Sequence, residues 1–112
     1  NRCAFRCQAN AEDSIEHYAY CRCVQTVAAR TLGLSDHTPL GLRRFLLCDK
    51  RVSDHVVLSK IAVLIYATYR ATNALRGAPA SSWRAAEECL EHYCRAAVEG
   101  HGRSLEATEL DI

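Results

Sequence analysis

The chain has 112 residues, a formal net charge of +1, 24% charged residues and 49% hydrophobic ones. This is one domain with one core, and the near-neutral balance excludes a highly charged tail and the strongly basic footprint of a dedicated nucleic-acid-binding domain. Seven cysteines, an odd number, fit a closed disulfide framework poorly and fit a reducing, intracellular compartment, in which some thiols bind metal, much better.

Residues 1–12 lack apolar periodicity and carry Cys3 and Cys7, so they read as a loop or small knuckle, with two short strands as its most regular form. A helix then starts at Asp13, a good N-cap, with Glu16 three residues later to close a capping box. Its apolar side is Ile15, Ala19, Val24, Val27, Ala28 and Leu32, and Gly33 supplies a left-handed stop. Thr38 before Pro39 starts a short helix over residues 39–48. Ser53 or Asp54 caps a long one running to about Arg76, ended by Gly77 and Pro79. Its core stripe is Val57, Leu58, Ile61, Leu64, Ile65, Thr68 and Leu75. The opposite face mixes Val56, Val63 and Tyr66 with Ser59, Lys60 and Arg70, less polar than a solvent face should be, which implies a second contact.

The last helix begins at Ser81 or Ser82, with Trp83, Ala86, Leu90, Tyr93, Cys94 and Ala97 on one side and Glu87, Glu88, Glu91 and Arg95 on the other; Gly100 and Gly102 are expected to end it. The fold class that results is all-α, a small helical bundle with an N-terminal zinc knuckle stapled to its first helix. Residues 1–33 form the knuckle and first helix, 34–102 the helical remainder of the same domain, and 103–112 a tail. The longest apolar run, residues 61–67, falls far short of the ~18 residues that span a bilayer, and no secretory signal order is visible. Methionine is absent even at position 1, as in a processed product or a segment of a longer chain.

The chemistry concentrates at the start. Cys3 and Cys7 are followed, after nine residues, by His17 and Cys21. On a helix the last two lie one turn apart on one side, and a tight loop supplies the other two. A closed set of four such ligands is the pattern of a structural zinc site, in which binding free energy becomes folding free energy. Cys23 competes with Cys21 as fourth ligand, but on a continuous helix it points away. An echo at 89–94, CLEHYC, has no cysteine pair before it, so core packing accounts for Cys89 and Cys94. The spare thiols Cys23, Cys48, Cys89 and Cys94 lack the C-x-x-C redox spacing. His37 and His55 sit beside Asp36 and Asp54 at turn or cap positions, which leaves the enzyme reading the weakest.

The run from Cys3 and Cys7 through Glu12, Asp13 and Ser14 to Ile15, Glu16, His17 and Cys21 resembles the zinc-binding segment that follows the polymerase in reverse transcriptases of non-LTR retroelements. In that family a cysteine pair and a short acidic loop lead through a D-S-[IL]-E-H segment to a final cysteine. The stretch VLIYATYRATNALRG at 63–77 is similar to what trails the motif there. Here the first pair is spaced by three residues rather than two, Arg22 stands where a proline often follows, and no pair of adjacent aspartates is present to hold polymerase metals. The resemblance implies a zinc module without polymerase activity.

Two functions follow as expectations. Arg2, Arg6 and Arg22 surround the metal site, and with Phe5 and Tyr18 or Tyr20 as stacking surfaces they would suit single-stranded nucleic acid. Alternatively, the domain is a retroelement-derived structural or assembly subunit that packs by its helices in a larger protein complex, with Val56, Val63 and Tyr66 as partner contacts.

Overall fold

The computed structural model describes residues 2–8, 10–34 and 54–110, the last ten of these as backbone. The expected helix over 39–48, Cys48, and the Asp36–His37 pair lie outside the described residues. Four helices are seen among those described: α1 (Ile15–Tyr18), α2 (Arg22–Leu32), α3 (His55–Gly77) and α4 (Trp83–Leu110). The all-α class holds. The knuckle's pairing amounts to a single antiparallel bridge between Arg2 and Glu12.

Where the sequence implied one helix from Asp13 to Gly33, the structure has two. Ser14, not Asp13, caps α1, its hydroxyl accepting from the His17 N–H. The chain tightens after one turn, with the Tyr20 N–H donating to the His17 carbonyl at 2.8 Å. It then turns extended at Cys21, which becomes the N-cap of α2. The Gln25 side chain donates to the Ala19 carbonyl across the break at 2.8 Å. Ile15, expected in the core, is 48% exposed because the break turns α1 off the α2 axis. Gly33 ends α2 in the left-handed region at φ 66°, where only glycine is free of Cβ strain.

Asp54 caps α3 as expected, accepting from the Val56 and Val57 N–H groups at 2.8 and 3.2 Å. The buried stripe is Ile61, Leu64, Ala67, Thr68, Ala71, Thr72 and Leu75. Ala67 and Ala71, fully buried, let the neighbouring backbones come close, and α3 packs most extensively on α4, which in turn covers α2. Leu90, Ala86 and Cys94 fill the α4 side of this core. Burial pushes the Cys94 thiol up to about 11, which makes it inert packing. Cys89 is half-buried beside it.

Three expectations for α4 need correction. Its backbone runs on through Gly100 and Gly102 to Leu110, since a glycine inside a helix costs about 1 kcal/mol but stops nothing unless its φ turns positive. Trp83 is not core: it is partly exposed, donating to Glu87 at 2.7 Å, with the Arg22 guanidinium 5.8 Å above its ring. Glu87 and Glu91 are not on a solvated face either. They point at α2, where Arg30 bonds both and Thr31 approaches Glu91.

Candidate metal centre

Cys3, Cys7, His17 and Cys21 converge at one end of the bundle, their donor atoms all within 4.8 Å of one another. The Cys3 and Cys21 sulfurs are 3.9 Å apart, and the Cys7 sulfur is 3.1 Å from His17 Nε2. One ion can touch all four at that spacing, and the set is closed: three thiols and one imidazole leave a tetrahedral ion no open position.

Each donor is positioned by a local device. The Cys3–Arg6 turn is closed by the Arg6 N–H donating to the Cys3 carbonyl at 3.0 Å. Arg6 itself takes φ 52°, uncommon for a side chain other than glycine. That left-handed residue absorbs the third residue of the cysteine gap and brings Cys7 round to His17. The Cys3 N–H donates to the Ala11 carbonyl at 2.9 Å, which shuts the loop. His17 rides on the capped turn α1, and Cys21 reaches the cluster because the helix breaks before it. Cys23 stays out of the cluster; it is fully buried in the core, and desolvation drives its thiol far above the usual range.

The thiols of the cluster shift one another's protonation. Sharing a hydrogen bond with Cys21, and receiving the N–H groups of Cys7 and Phe5, lowers the Cys3 thiol to about 5 despite its burial. The same contact with Cys3, together with desolvation, drives Cys21 far upward. Desolvation raises Cys7 as well. The sulfurs thus oppose one another's ionisation, which a divalent ion among them would favour at each. Backbone N–H groups of Arg22 and Val24, at the start of α2, also favour the thiolates of Cys7 and Cys21. A helix N-terminus is the right end to place against negative sulfur.

A relay that runs from half-buried to exposed ties the knuckle to α3. The Ala4 N–H donates to the Tyr18 hydroxyl at 3.1 Å, and that hydroxyl donates to Asp13. Arg76 grips both Asp13 oxygens at 2.7 and 2.6 Å while also bonding Asn73. Asp13, read from sequence as a cap, is thus the joint between two parts of the fold; nothing local announces a partner 63 residues away. The Arg76 hydrogen bonds hold its carboxyl below the ordinary 3.8. Asp13→Ala should cost about 2 kcal/mol, the scale for losing charge-assisted bonds at a partly buried group. Because the folded value is depressed, this stabilisation is complete above the unfolded value and is lost as pH falls through the folded one. Denaturant titrations of wild type and Asp13→Ala should differ at pH 7, and the difference should shrink only as pH falls below the ordinary 3.8 and through the folded value; equal stability at pH 7 would refute the joint.

The proposed nucleic-acid residues are placed unevenly. Arg2 and Arg6 are exposed beside the cluster, while Arg22 is exposed and spread over Trp83. Phe5 and Tyr18 are buried, packed edge to face at 5.8 Å, so neither offers a ring to a base; Tyr20 is exposed. Of the expected partner contacts, Val56 and Tyr66 are exposed and Val63 is half-buried against the core. Exposed Tyr69, three residues beyond Tyr66, was missed by the sequence reading although its helical spacing could have found it.

Comparison with known proteins brings no match: no family model, no curated protein and no solved structure matches the chain. The resemblance to the retroelement segment therefore remains one of sequence pattern, in the knuckle and in residues 63–77.

Proposed function

We propose that the protein is a non-catalytic zinc-binding helical module, a structural subunit that packs by its helices against other proteins in a reducing, intracellular setting. The closed four-donor cluster carries this reading. A tetrahedral zinc with Zn–S near 2.3 Å and Zn–N near 2.05 Å sets S···S edges of about 3.8 Å and S···N edges of about 3.6 Å. The 3.9 Å between Cys3 and Cys21 fits as it stands, and the 3.1 Å between Cys7 and His17 needs to open by about half an ångström. Soft thiolates with one imidazole suit zinc over magnesium or calcium, which prefer oxygen. With every position filled by protein, the ion has no place for a reacting water, so its role is to staple. The helical surface supports packing: Val56, Tyr66 and Tyr69 stand exposed on α3, and no helix among the described residues is long and apolar enough to cross a membrane.

Purified without chelators, the protein should carry one zinc per chain by elemental analysis; absence of zinc would sink the assignment. The second reading, a retroelement-type module gripping single-stranded nucleic acid, is favoured by exposed Arg2 and Arg6 at the rim of the site. Titration of short single strands at two salt concentrations separates the two. Affinity that falls with salt and drops in Arg2→Ala/Arg6→Ala supports nucleic acid, and none at low salt leaves protein assembly.

A further inference from the structure

The outward face of α3 is built as a ridge between two troughs. Ala62 and Tyr66 line both troughs, and Tyr66 and Tyr69 are 51% and 65% exposed. The trough against the knuckle, about 620 Å³, is walled by Ile15, Ile65 and Thr68. The trough against α4, about 640 Å³, is walled by Val63, Tyr93 and Ala97. Ser59, Ala62, Tyr66, Tyr69 and Asn73 recur at alternating spacings of three and four, the spacing by which one helix receives another, with the apolar positions at its centre and polar ones at its ends. In the first trough lies Thr68, only 4% exposed, whose hydroxyl has no partner among the described residues; a buried unpaired hydroxyl is uncommon in a finished surface.

Charge says what kind of helix fits. The 23 residues of α3 include Lys60, Arg70 and Arg76 and not one carboxylate. Arg76 is paired with Asp13, but among the described residues neither Lys60 nor Arg70 has an acid. Arg70 lies over the Tyr93 ring at 5.5 Å, at the rim of the second trough. A second copy docked α3 to α3 would set the cation-only helix against itself, like charge facing like charge.

We propose that this face docks an amphipathic helix of a partner protein, its apolar stripe straddling the Tyr66–Tyr69 ridge and an acidic flank meeting Arg70. The inference rests on the assembly reading above and specifies its partner. Helix-in-groove recognition works by such spaced apolar anchors, with flanking charge setting the choice between partners.

The test uses the full zinc-loaded protein and two synthetic helical peptides that share one leucine stripe, flanked by glutamates in one and by lysines in the other. Fluorescence anisotropy should show the glutamate peptide binding at least roughly tenfold more tightly. Arg70→Glu should reverse the preference, and Tyr66→Glu should weaken the glutamate peptide, with zinc content and helicity unchanged in both exposed-site variants. Equal affinities, no binding of the glutamate peptide, or a preference that Arg70→Glu leaves intact would overturn the proposal. So would a concentration-dependent dimer that Tyr66→Glu abolishes, which would give the face to a second copy. Zinc content and single-strand binding are measured on the same samples. Missing zinc overturns the metal reading, salt-sensitive strand binding overturns the assembly reading, and a lost peptide preference with zinc present and no strand binding overturns only this inference.

Discussion

If the cluster holds zinc as proposed, stripping the metal is expected to unfold the protein. Dialysis against a strong chelator should abolish most of the helical circular dichroism and the cooperative melt, and zinc alone should restore both. The magnitude decides this: a structural zinc contributes on the order of 10 kcal/mol, as much as the whole stability of a typical domain of this size, about 5–15 kcal/mol. Without the ion, Cys3 and Cys21 are buried sulfurs 3.9 Å apart that cannot both ionise. Cys21→Ala removes a fully buried donor from the centre of this arrangement and should give the same loss as chelation. Acid acts in the same direction, because thiolates and neutral imidazole bind metal and protons displace it. Zinc release and unfolding should therefore coincide as pH is lowered. A metal-free protein that keeps its helicity and melting temperature would refute the staple.

Phe5→Ala should destabilise the zinc-loaded protein by about 3–5 kcal/mol, the range for emptying a large aromatic from a core. Phe5 is 1% exposed, packs edge to face on Tyr18 and sits beside Ala80, Trp83 and Ala86. It is the side chain by which the knuckle loop reaches the start of α4. The zinc should remain bound at one per chain under native conditions, since Phe5 supplies no ligand, while thermal and denaturant midpoints fall. The same variant discriminates between functions. A base-stacking Phe5 would lose affinity for single strands with little change in stability, so an unchanged midpoint would reject the packing role.

Much of the local structure was legible because local devices announce it. Asp54 before an apolar run is a cap wherever the chain goes, Gly33 is a left-handed stop, and the α3 stripe repeats at the period of a helix. The four donors were readable from residue type and spacing, although the route to their convergence was not. The sequence implied that a continuous helix aligns His17 with Cys21, whereas a break at residues 19–21 brings them together. Asp13 and Glu16 are a near match to a capping box, yet Asp13 is drawn off by Arg76 and Tyr18, whose bonds outweigh one capping bond. Glu87 and Glu91 looked like an ordinary solvated flank until α2 set Arg30 against them.

By itself, then, the sequence determined the helical class, the stop at Gly33, the cap at Asp54 and which side chains can ligate a metal, because those depend on dihedral preference, periodicity and donor chemistry within a few residues. Only the tertiary structure decided that a break before Cys21 carries it into the cluster, that Phe5 and Tyr18 are core, and that Tyr66 and Tyr69 form an exposed ridge. Those outcomes depend on which distant surface arrives to bury a group, and burial is a property of the packed whole.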